Sequence, residues 1–166
     1  TARLDEGASL TEVTDEIRRA WAVPIRVLPV TDDPIRTIVT VVDEAGDRHD
    51  VSFQDYFVRL RHGVPITGVR FDHEGARLTD EARAAITDAD VVVIAPSNPI
   101  VSIGPLRELS GVDELLAARR SSVVAVSPIV GGRVLKGPTA DFLAHTGHAA
   151  DAAGVAALYA GLLDGV

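Results

Sequence analysis

The spacing of apolar residues along the chain predicts an alternation of helices and strands. Residues 10–20 have helical periodicity behind a capping box formed by Ser9 and Glu12, which predicts a helix. We expect its buried stripe to be Leu10, Val13, Ile17 and Ala20. β-Branched runs and turn residues then predict a strand over 25–28, a hairpin of 35–42 with 48–53, helical periodicity over 54–62, a strand over 66–71 and a helix over 79–87.

Two segments, Val91 to Leu106 and Val123 to Pro138, each begin with an apolar β-branched run and break into a loop of Ser, Pro and Gly. Their spacing, with a helix predicted over 105–119 that breaks near Ser110-Gly111, is typical of a βαβ unit. The strands, over 90–95 and 122–126, are apolar on both faces, as central parallel strands are. Helices over 139–145 and 152–163 follow.

These elements predict an α/β fold, with residues 1–166 as a single domain. We expect a Rossmann-like three-layer sandwich with a mostly parallel central sheet and a small hairpin and helical insertion. In such sheets the ligand lies outside the carboxyl ends of the strands, so the two loops are the first candidate site.

Composition narrows the class of protein. The chain has 166 residues, 46% of them hydrophobic and 24% charged, which is ordinary for a globular domain. No apolar stretch approaches the roughly 20 residues that span a bilayer, and residues 1–20 do not resemble a signal peptide. The absence of cysteine excludes thiolate chemistry and favours a cytoplasmic protein. A net charge of −8 argues against nucleic-acid binding.

The first loop contains Ser97, Asn98, Ser102 and Gly104 ahead of a predicted helix. Small polar side chains and a glycine before a helix N-terminus suit an anion or a nucleotide. The alternative is a βα turn shaped by Pro and Gly, in which Asn98 bonds its own backbone. The residues alone leave both open.

The second loop contains Ser127, Gly131, Gly132, Lys136 and Gly137. Adjacent glycines permit positive φ and can expose backbone N–H groups to an anion, and Lys136 supplies a charge for phosphate. The alternative is a glycine hairpin with an exposed lysine.

A third candidate is the segment Thr31-Asp32-Asp33, which could bind a metal ion or accept hydrogen bonds from a ligand. A turn before Pro34 explains the two aspartates as well, and spacing alone favours that turn. No Ser/His/Asp or paired-carboxylate arrangement identifies a catalytic residue.

Five strings together resemble the 2-phospho-L-lactate transferase family. They are A-P-S-N-P-I-V-S-I-G-P-L (95–106), V-S-P-I-V-G-G-R-V-L-K-G-P (126–138), V-T-D-D-P-I-R-T (30–37), F-Q-D-Y-F-V-R-L-R (53–61) and D-A-A-G-V-A-A-L-Y (151–159). The matches are collinear and cover nearly the whole chain, which makes them more specific than any single motif.

The resemblance implies a step in the biosynthesis of coenzyme F420. Such enzymes transfer a phospholactyl or phosphoenolpyruvyl group from a guanosine diphosphate donor to a hydroxyl of the deazaflavin Fo, release GMP and use Mg²⁺. The sequence does not distinguish the two donors. The resemblance also implies that the two loops line the nucleotide and reaction cleft, and that Thr31, Asp32, Asp33 and Thr37 lie on the deazaflavin side.

Family members begin with a glycine-rich strand and loop and further acidic residues, and no segment here corresponds to them. We therefore expect this chain to be the central portion of a longer transferase, with the metal ligands mainly in the N-terminal region and with little activity alone. The resemblance is also compatible with a homodimer.

Two other classes compete with the transferase. One is a non-catalytic nucleotide-binding regulator of the related gluconeogenesis-factor type, whose first loop reads more like G-P-G-S-L-Y-T-S. The string S-N-P-I-V-S-I-G-P at residues 97–105 favours the transferase. The other is an α/β scaffold whose loops bind nothing.

Overall fold

The computed structural model describes residues 2–134 and 137–165. The α-helices are α1 (Ala2–Asp5), α2 (Leu10–Ala20), α3 (Asp80–Asp88), α4 (Gly104–Arg107), α5 (Val112–Ala117), α6 (Thr139–His145) and α7 (Ala152–Leu158). The strands are β1 (Arg36–Val42), β2 (Arg48–Ser52), β3 (Ile66–Asp72), β4 (Val92–Ile94), β5 (Val123–Ala125), β6 (Ile129–Val130) and β7 (Arg133–Val134). A π-helix covers Asp55–Arg59 and a 3₁₀ turn covers Arg120–Ser122.

The largest sheet is antiparallel, with strand order β2-β1-β3. Its central residue Val39 pairs with Val51 on one side and Val69 on the other, and is fully buried. The turn from β1 to β2 is closed by Asp43, whose Oδ1 accepts hydrogen bonds from the backbone N–H groups of Ala45 and Asp47. The predicted hairpin and the strand over 66–71 are therefore confirmed.

Strands β4 and β5 form a parallel pair in which Val93 lies opposite Val124. Helices α4 and α5 lie between them in the chain and are separated by Gly111, whose φ is 84°. The predicted strand–helix–strand unit is confirmed, and so is the predicted helix break. The left-handed backbone at Gly111, the residue that precedes α5, is incompatible with one continuous right-handed helix.

One hydrophobic core joins the two sheets. It includes residues from the antiparallel sheet, such as Val39, together with Val123 of the parallel pair. Its largest fully buried side chains are Tyr56, Phe142, Leu109 and Leu143. The loops that follow β4 and β5 are therefore held on the same packed body as the hairpin.

The fold class is α/β, as predicted, but a mostly parallel three-layer sandwich is not confirmed. In the described residues the three-stranded sheet is antiparallel and the parallel sheet is a pair. Burial of the pair on both faces is also wrong, because Val93 is 58% and Val124 38% exposed. An apolar run indicates which residues favour burial, but it does not provide the second layer that would cover them.

Three local predictions also need correction. Residues 25–28 lie outside the strands, with Ile25 67% and Val27 44% exposed. In α2 only Val13 of the expected stripe is buried, and Leu10 and Ile17 are exposed, because this helix lies outside the core cluster that joins the sheets. The helices predicted over 54–62 and 152–163 are shorter, at Asp55–Arg59 and Ala152–Leu158.

None of the helices in residues 2–134 and 137–165 is both long and apolar enough to cross a lipid bilayer.

Candidate functional site

A cleft of about 350 Å³ lies where the loops after β4 and β5 meet. Pro96 and Pro128 follow the carboxyl ends of the two strands by two and three residues, respectively. The cleft is lined by Phe53, Phe57, Pro96, Ser97, Asn98, Val101, Ser102, Pro128, Gly137, Pro138 and Thr139. The structure therefore brings both candidate loops to one opening, at the edge where parallel strands present ligand sites.

Asn98 organises the first loop. Its Oδ1 accepts hydrogen bonds from the backbone N–H groups of Ile100 (2.9 Å) and Val101 (3.2 Å). Its backbone carbonyl accepts from the N–H groups of Ser102 and Ile103. The alternative in which Asn98 shapes a βα turn is therefore present, because its side chain bonds the backbone of the same loop. Asn98 also lines the cleft.

Gly104 connects this loop to the antiparallel sheet. It is the first residue of α4, and a Cβ atom there would lie 2.8 Å from Cζ of Phe71 in β3. Only glycine permits this close approach without a shift of the ring. Gly104 does not line the cleft, whereas Ser97 and Ser102 of the same loop do.

The second loop is divided between turn and cleft. Gly131 and Gly132, with φ of 58° and 71°, form the two-residue turn of the hairpin between β6 and β7 and are exposed. Positive φ at both positions is the geometry of a type I′ turn, so the hairpin alternative explains this glycine pair.

The remaining predicted residues of this loop differ in position. Ser127 Oγ accepts a hydrogen bond from the Ile129 N–H and donates one to the Ile129 carbonyl, so it closes a local turn. Gly137, with φ of 78°, lines the cleft. Lys136 lies outside the described residues.

The segment Thr31–Thr37 lies away from the cleft lining, and the side chains of its first three residues accept hydrogen bonds from the backbone. Asp32 Oδ1 accepts from the Thr11 N–H at the start of α2 (2.7 Å), and Asp33 Oδ2 accepts from the Arg77 N–H (3.2 Å). Thr31 is buried and its Oγ1 accepts from the Asp33 N–H. Thr37 lies on β1 opposite Phe71.

A separate hollow of about 540 Å³ lies beside this segment. Pro34 and Arg36 line it, together with Phe71 and residues 72–75. Because Phe71 also contacts the Gly104 position, the hollow and the first loop share one aromatic side chain. This hollow therefore adjoins the segment predicted for the deazaflavin side, and the predicted residues of that segment do not line the cleft.

The described residues do not fit a complete magnesium site. Among them, no group of three or more His, Cys, Asp or Glu side chains is placed to hold a metal ion. Asp32 and Asp33 each use one carboxylate oxygen for a backbone N–H. We therefore assign no ligand of Mg²⁺ and no reaction step through it.

The aromatic side of the cleft is not predicted by the sequence pattern. Phe53 and Phe57 line it, and their rings are stacked with centroids 5.8 Å apart. Four-residue spacing of two aromatic residues among polar neighbours was the available signal, but it is equally typical of a core stripe. The intervening Tyr56 is fully buried, and burial, with a smaller contribution from the charge of Asp141, raises its pKa to about 12.

Arg107 holds the helices behind the first loop. Its guanidinium donates to both carboxylate oxygens of Asp113 (2.9 and 2.7 Å) and to the carbonyl of Leu158 (2.9 Å). These bonds join α4, the start of α5 and the end of α7. The hydrogen bonds to Asp113 raise the pKa of Arg107, so this fixed charge is present at all relevant pH values.

The fold and the cleft define an α/β protein with a cleft at the carboxyl ends of two parallel strands. The profile of the family described as 2-phospho-L-lactate transferase CofD matches residues 1–166. The chain belongs to this family, as its five strings predicted.

Individual relatives agree with this assignment. The chain is 40% identical to the phosphoenolpyruvate transferase of Streptomyces coelicolor over an alignment of 167 positions, which covers 99% of this chain and 52% of that protein. It is 38% identical to the 2-phospho-L-lactate transferase of Methanospirillum hungatei over 162 residues, which are 97% of this chain and 52% of that protein. The chain thus spans about half the length of these relatives.

A solved structure gives independent support for the fold. The crystal structure of a Bacillus halodurans protein matches 94% of this chain and 46% of its own length, with a TM-score of 0.62. At 20% sequence identity, this match supports the fold alone.

Proposed function

We propose that this chain forms part of a transferase that moves a 2-phospho-L-lactyl or phosphoenolpyruvyl group from a guanosine diphosphate donor to the deazaflavin Fo. An Fo hydroxyl oxygen attacks the phosphorus of the transferred group, the bond to GMP breaks and a phosphodiester forms. The hydroxyl proton leaves to solvent, since no general base is assigned. The observation that carries the proposal is the meeting of both family loops at one cleft.

The cleft suits the donor because the loops that follow β4 and β5 offer small polar side chains and accessible main chain on one side of it. Ser97, Asn98 and Ser102 offer small polar groups, and Gly137 allows a ligand to approach the main chain. In phosphoryl transfer, most of the rate enhancement comes from positioning and from stabilisation of charge, so a fixed loop is a suitable element. The hydrogen bonds of Asn98 supply that rigidity.

The acceptor is proposed to approach from the side of residues 31–37. The hollow lined by Pro34, Arg36 and Phe71 supports this placement, since it adjoins the first loop through the contact of Phe71 with Gly104. In this arrangement Asp32 and Asp33, which accept hydrogen bonds from the backbone N–H groups of Thr11 and Arg77, hold the segment in place and need not bind the deazaflavin directly. We propose that the transfer uses Mg²⁺ and that its ligands are groups other than those lining the cleft and the hollow.

The test is calorimetric titration of GDP into this chain and into a version that spans the full length of its relatives, each with and without Mg²⁺ and Fo. We expect the longer version to bind GDP and this chain to bind more weakly or not at all. Absence of binding in both forms, with far-UV circular dichroism showing an intact fold, would contradict the proposal and leave a scaffold. Where the longer version binds GDP, a radiolabelled phosphoenolpyruvyl donor would report transfer to Fo.

A further inference from the structure

The aromatic side of the cleft continues past Phe57 along the surface. Phe57 stacks against Phe53 at 5.8 Å between ring centroids and against His62 at 5.7 Å, with interplanar angles of 20° and 23°. We call Phe53, Phe57 and His62 the aromatic row. Nearly parallel rings at these centroid distances are strongly offset, so much of each ring face is not covered by its neighbour in the row.

Phe57 is the member of this row that is both exposed and in the cleft. Its side chain is 37% exposed, although burial of a phenylalanine ring is favourable. Its Cε2 lies 3.6 Å from the position that a Cβ atom on Gly137 would occupy, so the ring stands directly beside the second loop. A ligand that reaches Gly137 therefore meets the ring of Phe57.

The backbone around the aromatic row is unusual at two independent points. Residues Asp55–Arg59 form a π-helix, a rare element that is frequently found at functional sites. Arg61 and His62 follow with positive φ of 50° and 45°, which is unfavourable for residues other than glycine. The fully buried Tyr56 anchors the segment against Phe142, with ring centroids 5.8 Å apart and edge to face.

We propose that Phe57 is a specificity-determining residue whose ring stacks on a planar heteroaromatic ring of a substrate. Such a ring gains from offset stacking and from burial of the exposed phenylalanine. For the guanine of the donor, the polar loop opposite would receive the diphosphate of the same ligand. Guanine and the deazaflavin share this ring chemistry. The inference rests on the proposed function, because that function supplies the two ring systems.

The test is separate calorimetric titration of GDP and of Fo into the version of the protein that spans the full length of its relatives. The variants are Phe57→Leu, which keeps an apolar side chain but removes the ring, and Phe57→Tyr, which keeps the ring. Val58→Ala is the matched control, since Val58 lies on the same π-helix, is 65% exposed and does not line the cleft.

Loss of stacking on a base typically weakens binding by about tenfold. We expect that loss for one of the two ligands in Phe57→Leu, with near wild-type affinity in Phe57→Tyr and Val58→Ala. The ligand affected identifies the ring that stacks. Unchanged affinity of Phe57→Leu for both ligands, while the wild type binds them, would overturn the stacking proposal alone. A wild type that binds neither ligand would overturn this proposal together with the proposed function.

Discussion

The loop side of the cleft is organised by hydrogen bonds, whereas its aromatic side is organised by packing. On the loop side, Asn98 closes the turn after β4, and Arg107 ties the helices behind it through Asp113 and the Leu158 carbonyl. On the aromatic side, Tyr56 is fully buried and packs edge to face on Phe142.

Because of this difference, the two sides should contribute differently to the binding of a ligand. Hydrogen bonds fix direction, so the loop side can hold polar groups of a ligand in one orientation. Aromatic packing contributes area with little directional demand, so the aromatic side can supply affinity for a flat ring. Substitutions on each side should therefore change the stability of the fold and the affinity for a ligand to different extents.

The largest expected effect is on the aromatic side, at its buried anchor. Tyr56→Ala would remove a fully buried ring and leave a cavity, at a cost of about 3–5 kcal/mol in the free energy of unfolding. Urea unfolding followed by circular dichroism measures this cost. Phe57→Ala is the control, since this neighbouring ring is 37% exposed and its loss should cost much less. Equal losses at both positions would contradict the division between anchor and cleft wall.

A smaller effect is expected behind the loop side. Arg107→Leu would leave the Asp113 carboxylate and the Leu158 carbonyl without their shared donor and should destabilise the fold by about 2 kcal/mol. The matched control is Arg120→Leu, because Arg120 also bonds an aspartate, Asp164, but both side chains are about half exposed. That pair should contribute less than about 0.5 kcal/mol. Equal effects in thermal unfolding would argue against a bracing role for Arg107.

On the loop side, two substitutions of Asn98 distinguish an effect on stability from an effect on ligand affinity. Asn98→Ala removes the acceptor for the Ile100 and Val101 N–H groups and should cost about 1 kcal/mol. Asn98→Asp keeps an acceptor, so its stability should stay near wild type. Its negative charge would repel an anionic ligand and weaken GDP binding in calorimetry. If Asn98→Asp bound GDP as well as the wild type does, a diphosphate would not lie near this side chain.

The sequence predicted those parts of the molecule whose cause is local. The helix after Ser9, the break at Gly111 and the hairpin of β1 and β2 follow from capping, left-handed glycine and β-branched runs, and all three are present. The predictions were wrong where the local structure depends on contacts with residues that are distant in the sequence. Alternation at Ile25 and Val27 is compatible with a strand, but in the described residues neither side chain is covered.

The candidate site shows the same limit. Strand–loop spacing was sufficient to place Ser97, Asn98, Ser102 and Gly137 at one opening, since parallel strands put their following loops side by side. It could not show that Gly131 and Gly132 are used by a turn. Nor could it show that Phe53 and Phe57 form a wall, because a partly exposed aromatic residue and a core one have the same local pattern.

The smallest expected effect concerns the hydroxyl of Tyr56, which is buried and has no hydrogen-bond partner among the described residues. Tyr56→Phe keeps the packing and removes this unsatisfied group, so at neutral pH it should be neutral or stabilising by up to about 1 kcal/mol.

Burial raises the pKa of Tyr56 to about 12 from 10, and that of Tyr159 likewise to about 12. The unfolded chain therefore loses these protons first, so stability is complete below pH 10 and falls as the pH rises towards 12. Urea unfolding between pH 8 and about 11.5 should show a shallower alkaline decline in Tyr56→Phe than in the wild type, with the remaining decline due in part to Tyr159. Parallel declines in the two proteins would mean that the Tyr56 hydroxyl is not buried in solution, and the anchor of the aromatic side would need to be sought elsewhere.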